Sequence, residues 1–82
     1  MSQTLNVISN KVDELPNNIE AEQSVIGSVL LNNEIFDDIN LIINSKNFYD
    51  PIHKKIFEAL EKLIYGGLLA NPITLKNYFE KE

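Results

Sequence analysis

The side chains best suited to catalysis in this sequence are His53, its only histidine, and Asp50, three residues earlier. A carboxylate close to an imidazole can form an acid–base couple, because it orients the ring and stabilises its charged form. The same spacing is common where a helix starts, with the aspartate capping free amides and the histidine packing nearby. We interpret His53 as a packed or capping histidine, and keep a small enzyme built on Asp50 and His53 as an alternative.

Two close pairs of carboxylates could suggest a divalent metal site, Glu20 with Glu22 and Asp37 with Asp38. Residues one or two apart on a helix do not face each other, so neither pair is spaced to share a divalent cation. A zinc site needs three or four ligands, and this sequence has one histidine and no cysteine. We therefore predict no catalytic residue and no metal site.

A phosphate-binding loop requires clustered glycines followed by Lys-Ser or Lys-Thr at the start of a helix. The only glycines are Gly27, Gly66 and Gly67, and no such motif follows them. The sequence thus predicts no nucleotide or other cofactor site. A net charge of −5 with no arginine also argues against direct contact with nucleic acid.

Two further properties bear on where the protein works. The absence of cysteine excludes disulfides and fits a reducing compartment. No apolar run approaches the roughly 18 residues of a membrane span, and the first residues do not resemble a secretory signal. A cytoplasmic protein with no membrane partner is expected.

Apolar residues recur at helical spacing in four segments, and no segment alternates with a period of two. The predicted fold is therefore all-α, a compact bundle of short helices. Residues 1–14 lack an apolar period and are predicted to be a flexible tail, which leaves residues 15–82 as one helical domain. The predicted core consists of Ile26, Leu30, Phe36, Ile39, Ile43, Phe48, Ile56, Phe57, Leu60 and Leu75.

The first helix is predicted to start near Asn17 or Asn18, and Asn17 as its cap would place Glu20 in a capping box. Gly27, inside this helix, is expected to permit close approach of a neighbouring helix. The second helix should present an apolar face and end at Asn44-Ser45. The residues of that face are Ile35, Phe36, Ile39, Ile42 and Ile43.

Asp50-Pro51 and Asn71-Pro72 each predict a helix start, because a capping side chain precedes a proline at the first helical position. The third helix should carry an apolar stripe that begins at Ile52, and Gly66-Gly67 should end it. The turn that precedes it, residues 46–49, is predicted to direct Phe48 and Tyr49 into the core.

Leu68-Leu69-Ala70 is an apolar run in a predicted loop, although loops usually lie on the surface. Either the run packs beneath the core or it belongs to an interface. Leu68 and Leu69 are accordingly the candidate partner-binding residues.

Two sequence blocks, residues 15–27 and 47–57, resemble the N-terminal domain of the DnaB family of bacterial replicative DNA helicases, and residues 72–75 resemble the family's stretch before its next helix. The order and spacing of these pieces agree over residues 15–82. We interpret the matching residues as structural. They are Pro16, Asn18, Glu20, Glu22, Gln23, Gly27, Phe48, Tyr49, His53 and Phe57.

The resemblance implies a non-catalytic domain in the collar of a hexameric ring, which supports ring assembly with other helicase subunits and contact with primase. In the family, ATP and magnesium serve 5'-3' DNA unwinding in a later RecA-like domain. The expected fold is the globular head of the N-terminal domain without its C-terminal helical hairpin. A stand-alone acidic adaptor with the same head is the alternative.

Overall fold

The computed structural model describes residues 18–81, and within them the chain forms four α-helices, two short 3-10 turns and no strand. The predicted all-α class is confirmed. Residues 1–14, Pro16 and the alternative cap Asn17 lie outside the described residues. In chain order the elements are α1 (Ile19–Leu31), the first 3-10 turn (Asn33–Ile35), α2 (Phe36–Asn40), the second 3-10 turn (Ser45–Asn47), α3 (Pro51–Tyr65) and α4 (Pro72–Lys81).

The starts of α3 and α4 follow from side chains that accept hydrogen bonds from free amides of the first turn. Oδ1 of Asp50 accepts from the amide of Ile52 at 2.8 Å, and Pro51 takes the first position of α3. Oδ1 of Asn71 accepts from two amides in the first turn of α4, both at 2.9 Å. Both predicted starts are therefore confirmed. Among residues 18–81, none of the helices combines the length and the apolar composition that a membrane span requires.

The start of α1 differs from the predicted capping box. Asn18 is the cap residue, and its carbonyl accepts from the amide of Glu22 at 3.1 Å, while its side chain makes no capping hydrogen bond. Since the helix begins one residue later than a cap at Asn17 would require, Glu20 occupies the second helical position and not the third. The capping box with Asn17 and Glu20 is thus wrong.

Gly27 also departs from its prediction. A Cβ atom added there would meet nothing within 4 Å. No neighbouring helix approaches α1 closely at this point, so the expected close approach is wrong.

Helix α3 is the central element, because α1, the second 3-10 turn and α4 all pack against it. The ring of Phe57 on α3 lies 5.1 Å from that of Phe36 and 4.9 Å from that of Phe48, measured between centroids. Tilted aromatic pairs at such separations stabilise beyond the area they bury. The buried apolar cluster is Ile26, Val29, Phe36, Phe48, Phe57, Leu60, Leu63 and Ala70.

The predicted core residues all lie in this cluster or against it. The half-buried ones are Leu30, Ile39, Ile43, Ile56 and Leu75. Ala59 and Ala70, absent from the prediction, are fully buried. Small residues are easily missed by apolar periodicity because they mark where elements come close and not where bulk is needed.

The two aromatics before α3 point in different directions. Phe48 is buried, whereas Tyr49 is 51% exposed, so the prediction that both face the core is wrong for Tyr49. The backbone at Phe48 is extended. Successive side chains of an extended chain point to opposite sides, so a buried Phe48 directs Tyr49 outward.

Two isoleucines assigned to apolar faces are exposed instead, Ile42 and Ile52. Helix α2 ends at Asn40, earlier than predicted, and the chain turns before Ile42. In the first turn of α3 the inward position is taken by His53, which is buried. The apolar stripe of α3 therefore starts after Ile52.

Helix α3 ends at the glycine pair, as predicted. Gly67 has a φ of 81°, in the left-handed region that glycine adopts without strain. Its amide donates to the carbonyl of Ile64 at 3.0 Å, and the amide of Leu68 donates to that of Leu63 at 2.9 Å. These two bonds satisfy carbonyls at the helix end and redirect the chain into the loop of residues 68–71.

Candidate functional site

Glu22 of α1 holds three groups at the start of α3. Its Oε2 accepts from the amide of Tyr49 at 2.5 Å. Its Oε1 accepts from the amide of Asp50 at 3.3 Å and lies 2.7 Å from Nδ1 of His53. One carboxylate thus joins α1 to the turn before α3 and to the first turn of α3.

The environment of Glu22 favours its charged form. Burial raises the pKa of Glu22, but hydrogen bonds from the Tyr49 amide, the His53 ring and the Asp50 amide outweigh it, and the net pKa lies below the ordinary value. The carboxylate is therefore an anion that can only accept. Nδ1 of His53 must then carry the proton that lies between the two side chains.

Asp50 and His53 do not form the acid–base couple considered from the sequence. The carboxylate of Asp50 caps α3, and the carboxylate that contacts His53 comes from Glu22 on another helix. The His53 ring is buried and packs edge-on against Phe48, with 6.4 Å between ring centroids. This geometry favours a packed histidine over a catalytic one.

The remaining carboxylates considered from the sequence stand apart. Glu20 lies exposed on the first turn of α1, and Asp37 and Asp38 lie exposed on α2. In the described part of the chain, no three side chains of histidine, aspartate or glutamate are grouped so that they could hold a metal ion.

The residues of the two sequence blocks occupy both interior and surface positions. Phe48, His53 and Phe57 are buried. Asn18, Glu22 and Gly27 are half-buried, and the exposed ones, which contribute nothing to the core, are Glu20, Gln23 and Tyr49.

Asn33 attaches the loop of residues 68–71 to the end of α1. Its Oδ1 accepts from the amide of Ala70 at 2.7 Å. Its Nδ2 donates to the carbonyl of Ala70 at 2.9 Å and to that of Val29 at 2.8 Å. The carboxamide thereby satisfies both backbone groups of a fully buried residue, which would otherwise be costly to enclose.

The apolar run in this loop was expected either to pack beneath the core or to belong to an interface, and its residues differ in this respect. Ala70 packs under the core, whereas Leu68 and Leu69 are 60% and 65% exposed. The hydroxyl of Thr74 donates to the carbonyl of Leu69 at 2.8 Å. The two candidate partner-binding leucines therefore lie on the surface of a loop whose backbone is fixed.

Comparison with known proteins identifies the family. The model of the DnaB-like helicase N terminal domain matches residues 14–82. The chain belongs to this family. Replicative DNA helicase DnaB of Rickettsia typhi is 36% identical over 88 residues, covering 100% of this chain and 18% of the relative. The Rickettsia felis protein of the same name is 41% identical over 68 residues, covering 83% of this chain and 14% of the relative.

A relative from another genus agrees. Replicative DNA helicase DnaB of Buchnera aphidicola subsp. Baizongia pistaciae is 38% identical over 72 residues, with 88% of this chain and 16% of the relative covered. This DnaB-like domain thus spans less than a fifth of the length of these relatives. No solved structure matches it.

Sequence reasoning missed two side-chain interactions of this DnaB-like domain, Glu22 with His53 and Asn33 with Ala70. A signal existed for Glu22: it lies one helical turn before Ile26, on the side of α1 that carries the core residues. A carboxylate on that side needs a partner. Nothing near Asn33 indicated a partner 37 residues away.

Proposed function

We propose that this chain is the non-catalytic N-terminal head of a replicative DNA helicase. The observation that carries the proposal is the family match over residues 14–82, together with relatives named Replicative DNA helicase DnaB. In this proposal, the parent protein unwinds DNA with ATP and magnesium in a RecA-like domain that is not among these residues.

The proposed role of the head is assembly with other helicase subunits in a hexameric ring, and contact with primase, in the cytoplasm. Its exposed Leu68 and Leu69 support a binding role, since their loop is fixed by backbone hydrogen bonds while their side chains face solvent. The commitment of His53 to Glu22 supports a non-catalytic role. A net charge of −5 without arginine supports a head that leaves DNA contact to other parts of the protein.

Two measurements on the purified chain test this function. We expect no ATP hydrolysis, and calorimetry should detect heat when the C-terminal domain of the cognate primase is added. Hydrolysis that co-purifies with the chain would contradict the non-catalytic assignment, and the absence of any primase binding would contradict the partner.

The source gene distinguishes the parent helicase from the acidic adaptor with the same head. Beyond Glu82 we expect a helical hairpin and then a Gly-x-x-x-x-Gly-Lys-Ser/Thr loop. A stop codon directly after Glu82 would instead support the adaptor.

A further inference from the structure

An exposed surface of mixed character lies on the outer side of α2, beside the end of α3. Its apolar members are Leu41, Ile42 and Tyr65, which are 86%, 83% and 55% exposed. Asp37 and Asp38 lie exposed beside them. We call these five residues the α2 surface. Single exposed apolar residues are ordinary on a protein, whereas several together mark a site of contact.

Helical geometry places the carboxylates of this surface next to Leu41. The amide of Leu41 donates to the carbonyl of Asp37 at 3.2 Å, and the backbone of Leu41 is still helical. Side chains three or four residues apart on a helix are neighbours, so Leu41 adjoins both Asp37 and Asp38. Ile42 follows directly, and its amide donates to the carbonyl of Ile39 at 2.9 Å. The backbone of the exposed pair is therefore fixed.

Tyr65 brings the end of α3 to the same surface. Its hydroxyl accepts from Nδ2 of Asn40, the residue before Leu41, at 3.1 Å. Its ring packs edge-on against buried Phe36, with 5.6 Å between ring centroids. The ring is thus held in place from below while more than half of the residue faces solvent, and a partner that covers it would lose little of its own binding energy to ordering this side chain.

The charge of the α2 surface selects among possible partners. Asp37 and Asp38 lie within residues 12–45, a stretch with seven side-chain carboxylates and no lysine or arginine. On α3, Glu61 and Lys62 precede Tyr65, and their charges cancel. The surface is therefore negative, and it repels the phosphates of nucleic acid and the headgroups of an anionic membrane.

The same charge disfavours a second copy at this surface. If two copies met here about a two-fold axis, Asp37 and Asp38 of each copy would face the carboxylates of the other. The net charge of −5 adds repulsion at longer range. A basic partner gains from both effects, because its lysines or arginines pair with the two carboxylates and are attracted to the chain as a whole.

We propose that the α2 surface binds a basic amphipathic segment of another protein. Apolar side chains of the segment cover Leu41 and Ile42, and its basic side chains lie against Asp37 and Asp38. A lysine or arginine over the exposed face of Tyr65 gains a cation–π contact. The inference goes beyond the proposed function, and it rests neither on contact with primase nor on assembly with other subunits.

A fluorescent synthetic peptide of leucine and lysine at helical spacing serves as the probe. The same peptide with glutamate in place of lysine is its control. We expect fluorescence anisotropy to show that the chain binds the lysine peptide and not the glutamate peptide. Binding of both peptides, or of neither, would overturn the inference.

Two double variants of equal net charge test where the peptide binds. Asp37→Asn with Asp38→Asn removes two charges from the α2 surface, whereas Glu20→Gln with Glu80→Gln removes two charges from exposed sites on α1 and α4. The first should raise the dissociation constant of the lysine peptide at least about fivefold, and the second less than about twofold. Equal weakening would show that the peptide responds only to net charge, and the inference would fail.

Two leucine variants test the apolar part of the contact. Leu41 and Leu69 are 86% and 65% exposed, so replacing either with serine leaves the core intact. Leu41→Ser should raise the dissociation constant of the lysine peptide at least about threefold, because less apolar area is covered on binding, and Leu69→Ser should leave it nearly unchanged. Circular dichroism should confirm that both variants are helical. The same effect from both leucines would place the contact elsewhere and overturn the assignment.

Sedimentation equilibrium distinguishes a segment of another protein from a second copy. We expect Asp37→Asn with Asp38→Asn to sediment as the unmodified chain does. If the chain associates with itself and this double variant abolishes the association, the occupant is a basic part of a second copy, and the inference is wrong. Failure of the lysine peptide to bind leaves the proposed function standing, since ATP hydrolysis and primase binding are measured separately.

Discussion

Oε1 of Glu22 lies 2.7 Å from Nδ1 of His53 across the contact between α1 and α3. The two side chains are nearly enclosed, with 12% and 9% of their surfaces exposed. The attraction within such a pair is largely offset by the cost of removing both groups from water, whereas removing one partner leaves the other without compensation. The pair is therefore better understood as fixing how α1 meets α3 than as a large net gain in stability.

Glu22→Gln tests this arrangement without changing the shape of the side chain. The amide nitrogen of glutamine would face a donor where a carboxylate oxygen now accepts. We expect the free energy of unfolding to fall by about 2–3 kcal/mol, because hydrogen bonds to a buried charge are lost and a donor is left unsatisfied. Urea denaturation measures the loss. Glu20→Gln, the same change at an exposed position of α1, should cost about 0.3–1 kcal/mol. Equal losses would contradict the role of Glu22.

The lowered pKa of Glu22 makes its contribution depend on pH. The unfolded chain binds a proton at Glu22 more readily than the folded chain does, so stability rises with pH in this range. The contribution is complete above the ordinary glutamate pKa of about 4.3 and is lost as pH falls through the lowered folded value. The difference in unfolding free energy between the unmodified chain and Glu22→Gln should therefore shrink as pH falls from about 6 to about 3. A constant difference would show that the charge is not involved.

Features that depend on neighbouring residues, such as helix ends, could be predicted from the sequence. Side-chain pairs between residues far apart in the chain could not. Asp50-Pro51 and Gly67 determine backbone geometry within a few residues of themselves, so the ends of α3 were predicted correctly. The partner of His53 lies 31 residues away and depends on how α1 crosses α3. Asn33 shows the same limit, because an asparagine after a helix indicates a break but not what its side chain will bind.

Phe57 should carry much of the stability of this small domain. It is 1% exposed and contacts the rings of both Phe36 and Phe48. Phe57→Ala should lower the free energy of unfolding by about 3–5 kcal/mol, enough to unfold a domain of this size. Phe79→Ala removes the same ring from a partly exposed site and should cost about 1 kcal/mol. Thermal melts of both variants check this, and a cooperative melt near the original temperature for Phe57→Ala would contradict the assignment of the core.

Replacing Gly27 or Gly67 with alanine should change the stability of the domain in opposite directions. Gly27 lies inside α1 with open space around it, so Gly27→Ala should stabilise by about 0.5–1 kcal/mol through helix propensity. Gly67 also has open space, but its positive φ disfavours any side chain, so Gly67→Ala should destabilise by about 1–2 kcal/mol. Denaturation midpoints of the two variants should move in opposite directions, and a shared direction would refute the difference in backbone conformation.

The neighbouring residues Asn32 and Asn33 allow the donor and acceptor roles of an asparagine side chain to be tested separately. The side chain of Asn33 donates to two carbonyls and accepts from one amide. The side chain of Asn32 accepts from the amide of Glu34 at 3.0 Å. Asn33→Asp turns the donor into a charged oxygen facing two carbonyls and should cost about 2–3 kcal/mol. Asn32→Asp keeps a capping acceptor at an exposed site and should change stability by less than about 0.5 kcal/mol. Hydrogen exchange at Ala70 should accelerate in Asn33→Asp alone, because its amide loses protection when the loop separates from α1. Unchanged exchange at Ala70 in that variant would show that Asn33 does not hold the loop.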